Sequence, residues 1–283
     1  VYPRLDYHVH PGYSIDAEDV PIMTYCRQAL RLGLQEVCFT THLEVDPVRR
    51  QRDWFVRLRG KLHPMDDTAW LDHYFREIEE ARRQLRGRGL AIKAGLEVGY
   101  QPGCEKSIEK VLSAYPFDFV LGSIHCLRHQ SISSWQESRS YFSSHTMEEV
   151  CRDYFSTLLE AVRTNLFDCI AHVDLYRRHG ESFWGAAAAK AHEGYIEPVL
   201  EEMARRQIGL EVNTSSLRRG LHEFHPSEDI LKLAREYGIK IFTVGSDAHR
   251  LEDLGSYTGE AALKLREMGL ALHGFTARVP HPL

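Results

Sequence analysis

Seven short apolar runs recur along the chain: Arg4–His8, Glu36–Thr40, Ala91–Glu97, Phe117–Ile124, Asp168–His172, Ile208–Val212 and Lys240–Val244. Their length and composition predict buried strands. Between them the apolar positions switch to a helical period. In Asp19–Leu32, for example, Ile22, Met23, Cys26, Ala29 and Leu30 share one face, and Gly33 closes the segment. Leu71–Leu85, Glu105–Ala114, Met147–Thr164, Ala186–Arg206, Pro226–Tyr237 and Gly259–Met268 predict further helices. Gly33-Leu34, Gly89-Leu90, Gly209-Leu210 and Gly238-Ile239 mark repeated helix-to-strand turns. Alternation of this kind predicts an α/β protein. No glycine-rich phosphate loop follows the first strand, which favours a (β/α) barrel over a doubly wound sheet. No linker, repeat or low-complexity tract divides the chain, so residues 1–283 are expected to form one domain. Residues 43–68 break the rhythm with "DPVRRQRDWFVRLRGKLHP", which holds five arginines and Lys61. This insertion reads either as a solvated loop or lid, or as an electropositive cap over an anionic substrate.

Composition narrows the picture only a little. A hydrophobic fraction of 43% with 27% charged residues suits a globular protein with a sizeable core. The net charge of −5 gives no global attraction to nucleic acid or acidic membranes. No membrane-length apolar run and no signal-peptide pattern is present. Six cysteines without a CxxC pair argue against disulfides and thiolate zinc sites, and for reduced thiols in a cytoplasm. Nothing in the pattern signals an oligomeric state.

Histidine changes the picture, because the sixteen histidines are not scattered evenly. His8 and His10 end the first run, His42 follows the second, and Glu97 ends the third. His125 follows the fourth, His172 ends the fifth, and Asp247 and His249 follow the seventh. In a barrel these strand ends converge on one mouth. Any one of them is ordinary as a hydrogen-bonded structural residue. Burying eight such groups together is costly unless they are paired or bind cations. Imidazoles and carboxylates without clustered thiolates suit zinc, manganese or iron. In "HVH", strand alternation sends both imidazoles to the same face.

The ordered motifs "DYHVH", "FTTH", "GLEVGY", "FDFVLGSIH", "AHVD" and "GSDAH" resemble the polymerase-and-histidinol-phosphatase (PHP) superfamily, and most closely its stand-alone histidinol-phosphatase branch. The resemblance spans residues 5–282 and implies a distorted seven-stranded TIM-like barrel. It implies two to three divalent ions. His8, His10, Glu97 and Asp247 would hold the first, and Glu97 would bridge to a second held by His125 and His172. His42 and His249 would hold a third with an acid from the loop after "HVH": Asp16, or alternatively Glu18 or Asp19. Thr41 stands where relatives often carry an acid that would orient His42.

Phosphate-ester hydrolysis fits such a centre. Ions roughly 3.5–4 Å apart lower the pKa of a bridging water and stabilise attacking and leaving oxygens. The expected reaction is therefore attack by a metal-bridging hydroxide, with no serine or cysteine nucleophile. Arg218 in "NTSSLRRG" is the first candidate to clamp phosphate, with Arg250, Arg177 and Arg128 behind it. Asp247 or His249 would pass a proton to the leaving oxygen. The resemblance implies a small phosphorylated substrate, L-histidinol phosphate. The competing readings are a phosphodiesterase or exonuclease acting on nucleotides or nucleic acid, and a non-enzymatic metal-binding module.

Overall fold

The computed structural model describes residues 4–283. Its core is one parallel sheet of seven strands: β1 (Leu5–Val9), β2 (Glu36–Glu44), β3 (Ala91–Gly99), β4 (Phe119–Ser123), β5 (Cys169–Ile170), β6 (Gly209–Asn213) and β7 (Phe242–Gly245). They are hydrogen-bonded in chain order, so each crossover returns the chain beside the strand it left. The sheet curls until β1 approaches β7. There the ladder shrinks to one bridge, Val9 with Ala248. His10 N–H donates to Ala248 O at 2.9 Å, and Ala248 N–H donates to His8 O at 3.2 Å. The result is a distorted barrel with a thin seam, as the alternating pattern predicted.

Helices cover the outside with the faces their periodicity foretold. Ile22, Tyr25, Cys26 and Ala29 of helix Ile22–Leu32 are buried, and Gly33 ends it in a left-handed conformation, φ 70°. Each aliphatic side chain fully buried this way contributes about 1.5–3 kcal/mol. Met147–Thr164 is a helix over the expected span, opened by a capping box between Thr146 and Glu149.

Three expectations need correction. Ala186–Arg206 is not one helix. A short 3₁₀ turn (Gly185–Lys190) is followed by helix Glu197–Arg206. Pro198 sits in that helix's first turn, where a missing N–H is tolerated, and it bars extension toward Gly194 at φ 81°. Trp135–Ser144, whose periodicity is weak, and Arg177–Trp184, only eight residues long, are additional helices. Strand β2 runs beyond Thr40 to Glu44, because β3 pairs with it residue by residue up to Gly99.

Residues 43–68 form a 3₁₀ turn (Pro47–Arg49) and an antiparallel hairpin, Phe55–Leu58 with Lys61–Pro64. Much of their positive charge is neutralised by acids of the insertion itself and by Glu137 of helix Trp135–Ser144. Arg49 pairs with Asp53 and Glu137, Arg50 with Asp66, and Arg52 with Glu137. The insertion is thus not an open electropositive cap. Among the described residues no helix is long and apolar enough to cross a membrane.

Candidate metal centre

The strand ends bring the expected residues together. His8 and His10, two apart on β1, point the same way, with their Nε2 atoms 3.0 Å from each other. Glu97 Oε2 lies 3.1 Å from His8 Nε2 and 3.3 Å from His10 Nε2. Asp247 Oδ1 lies 3.6 and 3.5 Å from the same two nitrogens. The other oxygen of Glu97, Oε1, faces His125 Nε2 at 3.1 Å and His172 Nε2 at 2.8 Å. Glu97 therefore stands between two groups of imidazoles. Farther out, Asp16 Oδ2 lies 3.5 Å from His42 Nε2 and 3.3 Å from His249 Nε2. Glu18 instead accepts from Leu251 N–H. Three ligand groupings emerge: His8, His10 and Glu97; His42, Glu97 and His125; His10, His42 and His249. Besides Glu97, expected to be shared by two ions, His10 and His42 each belong to two groupings.

The donor set fits divalent cations. His8 Nδ1 is tied to Glu211 Oε1 at 2.6 Å, His125 Nδ1 to Glu44 Oε1 at 2.9 Å and His10 Nδ1 to Ser14 Oγ at 3.0 Å. Tying Nδ1 outward turns the Nε2 atoms of these rings toward one another, the orientation metal ligation requires. His42 Nδ1 is buried 3.1 Å from Glu97 Oε2 yet makes no hydrogen bond. Burial would raise the Glu97 carboxyl, but His8, His125 and His42 outweigh it and hold Glu97 well below the usual carboxylate range. Burial, with His249 and His42 alongside, drives His10 down to about 4. An ionised Glu97 and a neutral His10 are ligand forms, whereas His42, raised against burial to about 9 by Asp16 and Glu97, gives up a proton when it binds a cation.

Local backbone features aim these groups. Asp247 at φ 54° and His172 at φ 26° occupy left-handed conformations that side-chain-bearing residues rarely adopt. Buried Asp6 holds the Asp247 loop from beneath, accepting from Ser246 N–H, Ser246 Oγ and Gly255 N–H. Gly245 is required by space, since a Cβ there would meet His8 Cβ at 2.3 Å and Glu211 at 2.6 Å. Gly99 likewise leaves room for the Glu44 carboxylate, which a Cβ would meet at 2.0 Å.

A cavity of about 460 Å³ opens above the cluster, and its wall includes Phe55, Met65, Glu137, Arg178 and Arg219. The expected clamp, Arg218, lines not that wall but an adjoining cavity with Asp16, Asp247, His249 and Arg250, and its Nη1 is buried without a hydrogen-bond partner. Its Nη2 donates to Ser246 O at 2.6 Å, and its Nε pairs with Asp253 at 3.2 Å. Arg250 is exposed beside Glu252, Arg177 is buried on Asp174, and Arg128 pairs with Asp153. Two other arginines, Arg178 and Arg219, line the cavity above the cluster instead. Arg178 Nη2 lies 3.4 Å from Asp247 Oδ2, and its Nε has no partner. Burial, followed by the neighbouring Arg219 charge, lowers its guanidinium to about 10. Arg219 has no ion-pair partner among the described residues. Two guanidiniums in one cavity wall, one of them without an ion-pair partner among the described residues, suit an added anion. Glu44 and Glu211 were also missed. The signal for Glu44 was its spacing of two from His42 on a strand.

Comparison with known proteins sharpens this. The PHP domain family matches residues 6–215. The chain belongs to the PHP domain family. A relative in Deinococcus radiodurans, named probable histidinol-phosphatase, is 30% identical over 266 residues, covering 93% of each chain. The histidinol-phosphatase of Lactococcus lactis is 27% identical over 247 residues, covering 87% of this chain and 84% of its own. The crystal structure of the L. lactis histidinol phosphate phosphatase, complexed with zinc, L-histidinol and phosphate, superposes with a TM-score of 0.77 at 23% identity, over 98% of both chains. A putative histidinol phosphatase from Listeria monocytogenes gives 0.73 at 20% identity, over 90% of this chain and 99% of its own. The PHP barrel assignment therefore rests on family and fold together.

Proposed function

We propose that this PHP-domain protein is a metal-dependent phosphomonoesterase that hydrolyses L-histidinol phosphate to L-histidinol and phosphate. The observation that carries the reading is the juxtaposition, in one cavity, of the Glu97-centred ligand cluster with Arg178 and Arg219. The relatives named as histidinol-phosphatases supply the substrate class. In this reading His8, His10, Glu97 and Asp247 hold one ion, and Glu97, His125 and His172 a second. His42, His249 and Asp16 hold a third. Zinc, manganese and iron all suit these donors. Such ions supply Lewis acidity toward the phosphoryl oxygens and lower the pKa of a water.

The chain's own groups do the rest. Arg178 and Arg219 grip two non-bridging phosphoryl oxygens and set the phosphorus in line. Asp247 directs Oδ1 to the imidazoles and Oδ2 toward Arg178 and Ser215. In this reading Oδ2 takes the proton lost by the attacking water and returns it to the leaving alkoxide. Phe55 and Met65 offer an apolar surface to the leaving group, while Asp53 and Glu137 offer acceptors for its ammonium. We take residues 1–283 as one phosphoesterase domain, with 43–68 as its lid. The described cysteines are all free and buried, in keeping with a reducing cytoplasm. The nucleic-acid alternative is disfavoured because Arg49, Arg50 and Arg52 are engaged internally.

The test is a panel assay of zinc- or manganese-loaded protein against histidinol phosphate, nucleoside monophosphates and a chromogenic phosphodiester. Preference for histidinol phosphate is expected. Preference for the diester, or activity indifferent to strong chelators, overturns the reading.

A further inference from the structure

The loop that presents Asp16 is held from the side by an arginine of the insertion. Arg57 Nη1 donates to the carbonyls of Gly12, Ser14 and Ala17 at 3.1, 3.2 and 2.9 Å, and its Nη2 donates to Ile15 O at 2.8 Å. One side chain thus gathers four carbonyls from residues 12–17. The backbone adds Arg57 N–H to Tyr13 O at 2.8 Å and a Ser14–Val56 bridge. The same loop reaches the ligands twice more. Ser14 Oγ meets His10 Nδ1 at 3.0 Å and accepts from His42 N–H at 3.3 Å. The Asp16 side chain itself is 56% exposed and touches only His42 and His249 among the ion pairs, so nothing buried fixes its carboxylate directly.

We infer that Arg57 is a positioning residue for the third ion: it holds Asp16 between His42 and His249 and makes the insertion part of the metal centre. A guanidinium suits this task, because its planar fork carries five donors and no acceptor. Lysine, a single point charge, cannot span four carbonyls. Phe55, two residues away on the same strand, lines the substrate cavity. A shift of this hairpin therefore moves the cavity wall and the Asp16 loop together.

The inference rests on the reading of Asp16 as a ligand, and the experiment separates the two. Metal content after loading and gel filtration, and metal affinity by titration, are compared for wild type, Asp16→Ala, Arg57→Ala, Arg57→Lys and Lys61→Ala. Asp16→Ala, Arg57→Ala and Arg57→Lys are each expected to bind the weakest ion about 10–100-fold less tightly, with the two tighter ions retained. Lys61→Ala, on the exposed strand of the hairpin, is expected to match wild type. Full metal content and affinity in Arg57→Ala overturn the inference while Asp16→Ala shows a loss. Full content and affinity in Asp16→Ala overturn the ligand reading and the inference with it. If Arg57→Ala is not recovered folded, Arg57→Lys decides: wild-type affinity there overturns the role, and loss supports it.

Discussion

At the scale of single residues, the site depends as much on the groups behind the ligands as on the ligands. Glu211 is fully buried and touches His8 Nδ1, while its other oxygen accepts from His172 N–H at 3.1 Å. Glu211→Gln keeps the shape but loses the charge that makes His8 a strong donor. Metal affinity is expected to fall about 10–100-fold, measured by competition with a chromogenic chelator; unchanged affinity would show Glu211 to be only a packing residue. The arginines divide similarly. Arg178→Ala is expected to cost about 10²–10³-fold in kcat/KM, whereas Arg218→Ala, which loosens the carbonyls of the Asp247 loop and the pair with Asp253, should cost much less. The reverse order would restore Arg218 as the clamp. The eight strand-end ligand candidates were legible because each ends an apolar run or follows one within a few residues. Arg178 was not, because in "YRRHG" two adjacent arginines start one helix and the sequence cannot say which turns to Asp174 and which to the mouth.

At the scale of elements, the insertion is fastened by charge. Arg49 is almost fully buried, and its guanidinium reaches Asp53, both oxygens of Glu137 and His129 O. Glu137 belongs to helix Trp135–Ser144, so this one arginine ties the insertion to an element of the cavity wall. The hydrogen bond from Arg49 is the main cause that lowers the Glu137 carboxyl to about 2, against 4.5 for an ordinary glutamate. A carboxyl depressed in the folded state stabilises it above the unfolded pKa, and that contribution is lost as pH falls from about 4.5 toward 2. Hydrogen exchange of residues 46–64 is therefore expected to accelerate over that window in wild type. In Glu137→Gln it should already be fast at neutral pH and lack that step. A wild-type profile in the variant would mean that the tie carries no stability. This fastening had little signature in sequence. Seven strands and most helices follow from period alone, but partners 88 residues apart, such as Arg49 and Glu137, are set by the closed barrel and not by local pattern.

At the scale of the whole molecule, the metal cluster sits on the barrel's weakest join. Six neighbouring strand pairs carry parallel ladders, but β1 and β7 meet through the single Val9–Ala248 bridge. The side chains on either side of that seam are His8 and His10 from one strand and Asp247 from the loop after the other, 3.5–3.6 Å apart. A cation held by all three would bridge the seam more firmly than the backbone does. Binding to the native state alone stabilises it by about 2.7 kcal/mol at a hundredfold excess over Kd. Without the cation, buried Glu97 and Asp247 are balanced only by imidazoles and Arg178, a poorer arrangement for ionised groups. Chelation should therefore lower the melting temperature and, more specifically, speed hydrogen exchange at residues 8–10 and 245–249 while leaving the β2–β3 ladder protected. Asp247→Asn should reproduce the local effect in the presence of metal, because it weakens one side of the bridge without unfolding the strands. Uniform acceleration across all strands would mean that the ions stabilise the fold globally and the seam has no special part. Protection unchanged at 8–10 and 245–249 would remove the closing role of the metal and leave the join to the Val9–Ala248 bridge, the Asp6–Ser246 contacts and the stacking of His10 on His249.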